Sequence, residues 1–282
     1  MSQYPGFQAM FDKSVPRSQM GSALSLLELI YHSVVRNVRK THGNALMSIL
    51  MNMLQIVMFV AAFYVMFSLL GLRGVALRGD FLVYLMSGIF LFMTNIKVLQ
   101  AVVSSEGPSS PMMKHAPMNT IISICAAAIG SLYVQILSVL MILFIYHVAV
   151  TPLEIHQPYS VLGMLLVSWY CGVAVGVAVL AIKPWAPTFA TIFTTVYQRA
   201  NMIASGKMFV ANTLPTFMLK MFDWNPLFHC IDQARGFAFI NYFPRNSSTT
   251  YPIIVGTIIL MLGLMGEFYT RRHASASWEA RR

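Results

Sequence analysis

Six runs of roughly 20 mostly apolar residues divide this 282-residue chain, at about 45–70, 81–103, 118–150, 161–182, 188–210 and 252–270. The hydrocarbon core of a bilayer is about 30 Å thick, and a helix rising about 1.5 Å per residue needs about 20 residues to cross it. Lipid offers no partner to a backbone N–H or C=O, so runs of this kind must satisfy those groups internally, as helices. The expected fold is therefore all-α, a polytopic membrane protein with six transmembrane helices. Composition leaves little else: with 57% hydrophobic and only 10% charged residues, no soluble domain of useful size remains outside the spans. The third run is longer than a bilayer needs and is expected to tilt or to project beyond one face.

A formal net charge of +10 would suit a nucleic-acid partner if the cations formed a patch, but here they stand at the ends of apolar runs. Membrane orientation explains that placement, and no nucleic-acid partner is expected. Lys13, Arg17, Arg36, Arg39 and Lys40 precede the first span, and Arg271, Arg272, Arg281 and Arg282 follow the last. The loop between spans three and four, "TPLEIHQPYS", carries no lysine or arginine. Both termini are thus expected on the cytoplasmic side, although Arg73 and Arg78 in the first external loop run against the rule. The division that follows is a cytoplasmic N-terminal part (1–44), a transmembrane domain (45–270) and a cytoplasmic tail (271–282). The first 20 residues read as too polar for a cleavable signal peptide. Cys125, Cys171 and Cys230 fit neither a metal-ligand spacing nor a disulfide framework and read as small apolar fillers.

Two segments read as cytoplasmic contact elements. In "SALSLLELIYHSVVRNVRK", Leu24, Leu27, Tyr31, Val34, Val35 and Val38 recur at helical spacing while Glu28, His32, Arg36, Arg39 and Lys40 take the other side. This is an amphipathic helix at the membrane surface, either a docking element or a plain lipid anchor. The Pro-, Ser- and Gly-rich loop "SSEGPSSPMMKHAPMN" breaks the helices around it. It either presents Met112, Met113, Lys114 and His115 to a cytoplasmic partner or serves only as a connection.

The chain lacks the glycine-rich phosphate loop of a nucleotide hydrolase, the paired histidines of a zinc protease and the nucleophile elbow of an esterase. It is not expected to be an enzyme, and no metal or cofactor site of its own is expected. Ionisable residues within the runs are few. Lys97 and Glu267 lie near span ends, where snorkelling accounts for them. Arg199 lies deeper, beside Gln198 and Asn201, and either lines a polar path or bonds a neighbouring helix. Gly172 and Gly176 have the small-xxx-small spacing of close helix packing.

The stretch from 205 to 252 is too polar for a crossing and too apolar for an ordinary external loop. Two short helices fit it, the second opened by Asn225 as cap and Pro226 at the first helical position. On that helix His229, Asp232 and Arg235 are three residues apart and can share one side, with Leu227, Ile231, Ala234 and Ala238 on the other. Such helices, at about 213–240, would be re-entrant from the external face, tolerable where protein or water surrounds them.

"RNVRKTHGN" before the first span, "HAPMNTII" at the start of the third, and "SGKMFVANTLP" followed by "WNPLFHCIDQAR" resemble the inner-membrane permeases of type-2 ABC exporters that move capsular polysaccharide in Gram-negative bacteria. The resemblance covers nearly the whole chain, and Asp232 stands where that family usually has glutamate. It implies a homodimer of six-span subunits in the bacterial inner membrane, working with two copies of a separate cytoplasmic ATPase that binds the ATP and Mg. Periplasmic and outer-membrane export proteins are further implied partners. Glu28, Arg36, Arg39, Glu106, Met112, Met113, Lys114 and His115 would meet the ATPase. Trp224, Phe228, His229, Asp232, Arg235 and Phe237 would form an external gate or polymer path, with aromatic faces for sugar rings, while Arg235, Arg199 and Lys220 would attract an acidic polymer or its phosphate-bearing lipid end. The alternatives are an exporter of O-antigen, teichoic acid or a small molecule, or an ion-coupled secondary transporter, although no inverted repeat is evident.

Overall fold

The computed structural model describes residues 19–40, 44–71, 80–105, 107 and 120–273. Its regular structure is helical throughout the described residues: α1 (Gln19–Lys40), α2 (Ala45–Leu69), α3 (Phe81–Val103), α4 (Thr120–Ala149), α5 (Pro158–Ile182), α6 (Pro187–Ala204), α7 (Thr216–Phe222), α8 (Pro226–Ala238) and α9 (Thr250–His273). The helix starts follow local chemistry. Proline opens α5, α6 and α8, where a missing N–H costs nothing. Asp80 caps α3 by accepting from Leu82 N at 3.0 Å, and Asn44 caps α2 from Leu46 N at 3.4 Å.

Five of these helices, α2, α3, α4, α5 and α9, are long and apolar enough to cross a membrane. The chain is thus a polytopic helical membrane protein. The run at 188–210 differs from the other five. It forms the 18-residue α6, whose last two turns hold Gln198, Arg199 and Asn201, and the helix ends at Ala204. Gly206, at φ +75°, then turns the chain into a left-handed conformation that L side chains rarely adopt.

Helices α3 and α5 form the interior. A Cβ on Gly172 would lie 2.5 Å from Asn95 O, and one on Gly176 would lie 2.9 Å from Val102 Cβ, so the small-residue stripe of α5 sets the close approach to α3. Polar side chains lock the register: Asn95 Nδ2 donates to Ser168 O and Ser168 Oγ to Leu91 O, both at 2.9 Å. Helix α9 packs on the far side of α5 by the same device, Gly263 lying against Ala178. Helices α2, α4 and α9 leave most of their apolar surface outward, as lipid contact requires.

Side-chain bonds define two ends of the bundle. At one, Asp80 accepts from Tyr146 and Thr151, and the α4–α5 loop donates from His156 N and Gln157 N to Ala238 O and Phe237 O of α8. At the other, Lys183 Nζ reaches Val103 O at 2.8 Å and Trp185 Nε1 reaches Thr270 Oγ1 at 2.8 Å. Helix α1 lies at this second end, where Ser48 Oγ donates to Val38 O at 3.1 Å. Its C-terminal half packs beside Gly130 of α4 through Val38, while Leu27 and Tyr31 stay exposed. Exposed Glu28 and His32 stand 3.8 Å apart, and Arg36 is also exposed. Glu106, Met112, Met113, Lys114 and His115, and the side chain of Arg39, lie outside the described residues.

Candidate functional site: the buried polar cluster around helix α8

The cluster exists because α6 stops short. Helix α3 runs inward from Phe81, and Lys207, just past the end of α6, sits against Gly88. Seven residues of α3 separate that level from its start, about 10 Å at 1.5 Å per residue. The turn after α6, a short 3-10 segment at Ala211–Thr213, α7 and α8 fill the remaining depth. Helix α8 is therefore enclosed by protein: Leu227, Phe228, Cys230, Ile231 and Ala234 are all buried.

Asn225 ties this segment to α6. Its Oδ1 caps α8 by accepting from Leu227 N at 3.1 Å, while Nδ2 donates to Asn201 Oδ1 and Ala204 O, both at 2.9 Å. One turn on, the backbone N–H of Ser248 donates to His229 Nδ1 at 3.0 Å. That contact fixes the tautomer, so Nε2 carries the proton and donates to Asp223 O at 2.6 Å. The ring also lies 4.5 Å from that of Tyr251, whose hydroxyl donates to Trp224 O.

Asp232 is 2% exposed and accepts from the Tyr242 hydroxyl and from Ser247 Oγ, the latter at 2.6 Å. Burial pushes the Tyr242 phenol above its ordinary range, and the neighbouring Asp232 charge adds to the shift, so this hydroxyl remains a donor. Arg235, 1% exposed, closes the other flank. Its Nη1 donates to Gly206 O and Phe209 O at 2.8 Å, its Nη2 to Lys207 O at 2.7 Å, and its guanidinium lies 4.2 Å from the Tyr84 ring centroid. The planar fork thereby satisfies three carbonyls that the turn after α6 leaves without helical partners. Gly88 makes room, since a Cβ there would meet Arg235 Nη2 at 2.8 Å.

Asp232 and Arg235 thus share a helix but engage different groups, and no ion pair joins them among the described residues. Lys207, also 1% exposed, points its ammonium at Phe92, 3.4 Å from the ring centroid, with Phe63 and Phe59 at 5.3 and 5.7 Å. Its Nζ has no hydrogen-bond partner among the described residues, so the aromatic faces alone compensate the charge.

The residues read as gate or path divide in two. Phe228, His229, Asp232 and Arg235 are buried and occupied, Phe228 lying against Gly206 and 6.4 Å from Phe222. They hold the segment in shape. Trp224, Lys220 and Arg199 are exposed, and Phe237 is half-buried. Helix α6 is also thinly covered in one chain: Phe189, Ile192, Phe193 and Val196 are exposed on it together with Arg199.

Sequence reasoning passed over Lys207, Tyr242 and Ser247. Lys207 carried a usable signal, since an ionisable residue inside an apolar run marks a site by default. Tyr242 and Ser247 reach Asp232 from a loop, and their spacing announces nothing. No known family model matches the chain, and no curated protein matches it in sequence.

Proposed function

We propose that this chain is the transmembrane subunit of an ATP-driven exporter of the type-2 ABC class, moving lipid-linked capsular polysaccharide across the bacterial inner membrane. The observation that carries the reading is α8, folded back beside α3 and α5 after the short α7 and just before the last apolar helix. In this reading α6 makes the sixth crossing, both termini are cytoplasmic and α7–α8 form the external re-entrant gate. Helix α6 also supports a homodimer: an arginine cannot face lipid cheaply, yet Arg199 is exposed on a helix with little packing in one chain. A second copy against α6 would enclose Arg199 and place the polymer path between the two subunits. Exposed Trp224 and Lys220 would meet the polymer outside, where an aromatic face can stack on a sugar and a cation can attract an acid.

The chain carries no nucleotide-binding motif, so the energy comes from a partner. Two ATPase subunits would dock on α1, through Glu28, Arg36 and Arg39, and on the loop from Glu106 to His115, and their closure would drive the path open. Such coupling requires contacts that differ between the ATP-bound and free states. Co-purification from the native membrane tests the reading. An ATP-binding subunit that accompanies the chain, with hydrolysis stimulated by the pair, supports it. Transport without any ATPase would instead favour an ion-coupled carrier, and copies of O-antigen, teichoic acid or a small molecule bound to the complex would redirect the substrate.

A further inference from the structure

At the α1 end of the bundle, helices α1, α2, α3 and α4 line a half-open cavity of about 410 Å³ that the export reading leaves unused. Its wall combines apolar residues with polar side chains from several helices. Asn52 and Gln55 face it from α2, Lys97 and Gln100 from α3, and Ser131 and Gln135 from α4. Each pair is three or four residues apart, so each lies on one face of its helix.

The wall is also biased in charge and in hydrogen-bonding sense. Among the described residues Lys97 is its single cation and no carboxylate lines it. Lys97 Nζ donates to Gln55 Oε1, and Asn52 Nδ2 donates to Gln135 Oε1 at 3.0 Å. These bonds use amide oxygens and leave donors. Gln135, only 1% exposed, has an Nε2 without any partner among the described residues. A buried donor in that state costs about 1–3 kcal/mol, and the surrounding helices, with their backbone C=O groups already accepting within each helix, do not relieve it. An acceptor supplied from outside the chain would.

We propose that this cavity is a binding site for a phosphate group, that of an anionic membrane lipid, with Lys97 as the ion-pairing cation and Gln135 and Gln100 as hydrogen-bond donors. The volume falls in the range of small-molecule sites, about 300–1,000 Å³. The depth suits a headgroup. Lys97 is six residues from the end of α3 at Val103, about 9 Å along the axis, and α1 beside it exposes Leu27 and Tyr31 as an interfacial helix would. Basic pockets between membrane helices are a known means of holding anionic headgroups. The proposal rests on the membrane fold alone, so it stands or falls apart from export.

The test uses the full-length protein with whatever subunits accompany it, purified in neutral detergent. Native mass spectrometry and thermal unfolding are followed on adding phosphatidylglycerol, phosphatidylcholine or inorganic phosphate. Phosphatidylglycerol is expected to bind and to raise the unfolding temperature. Lys97→Gln should weaken that binding about tenfold, the loss of one charge-assisted contact, while Lys97→Arg should retain it. Gln135→Leu should weaken lipid binding, with a modest loss of stability in the lipid-free protein because Asn52 Nδ2 loses its acceptor. An exposed control, Arg272→Gln, should bind as wild type does. Equal binding by wild type and a folded Lys97→Gln variant would overturn the site. Binding of inorganic phosphate with the same dependence on Lys97, and none of the lipid, would overturn the lipid assignment in favour of free phosphate.

Discussion

Replacing Arg235 with methionine should destabilise the protein, although it removes a buried charge with no carboxylate partner. The guanidinium satisfies the carbonyls of Gly206, Lys207 and Phe209 and lies over the Tyr84 ring. Each orphaned carbonyl costs about 1–3 kcal/mol, and a desolvated cation–π contact is worth about 2 kcal/mol. Gly206 O keeps the bond from Phe209 N, so two carbonyls lose their partner; taking about 2 kcal/mol for each, the gross loss is about 6 kcal/mol. Removing the desolvated charge returns several kcal/mol, which leaves a net loss of about 3 kcal/mol. For a chain of this size that lowers the unfolding temperature by about 6–12 °C. Lysine keeps the charge but not the fork and should recover less than half of the loss. The assay is thermal unfolding in detergent, combined with amide hydrogen exchange over 205–214, where loosening should be confined at first. An Arg235→Met variant that unfolds within about 2 °C of wild type, with unchanged exchange there, would refute the reasoning.

Lys207→Met should behave oppositely, because this ammonium bonds no carbonyl: stability should be unchanged or raised by about 1–2 kcal/mol in the same thermal assay. On α5, Gly172→Ala should cost about 1–3 kcal/mol by forcing α3 away, whereas Gly163→Ala, with nothing within 4 Å of the new Cβ, should be neutral or stabilising by about 1 kcal/mol. Unfolding curves of the pair give that difference directly. The raised Tyr242 phenol sets an alkaline limb: its contribution is complete below the ordinary pKa of 10.0 and is lost as pH rises above it. Tyr242→Phe should flatten that limb in stability measured against pH.

Five of the six apolar runs announced helices able to cross a membrane because hydrophobic length is a one-dimensional quantity, and Asn225 with Pro226 announced where α8 begins. Gly172 and Gly176 were legible for the same reason: their spacing alone puts them on one helix face. What the site residues do was less visible. Spacing put His229, Asp232 and Arg235 on one helix and suggested a cluster, but their partners are loop hydroxyls and turn carbonyls brought in by folding. An alanine at Arg235 therefore tests the scaffold as much as any gate. Arg199, which the sequence puts either on a polar path or against a neighbouring helix, stands on an exposed face of α6 that one chain leaves uncovered. The cavity at Lys97 was written into the sequence as short polar stripes, Asn52 with Gln55 and Lys97 with Gln100. Each stripe alone looks like a snorkelling residue near a span end, and only the packing of four helices joins them.

The central claim is that this chain exports a polymer with energy from a separate ATPase. Reconstitution of the co-purified complex into vesicles, loaded on one side with lipid-linked polysaccharide, measures this most directly. Transfer of the polymer across the bilayer should require ATP hydrolysis and both subunits, and should stop when the partner's hydrolysis is blocked. Equal transfer by this chain alone, or transfer driven by an ion gradient without ATP, would contradict the account.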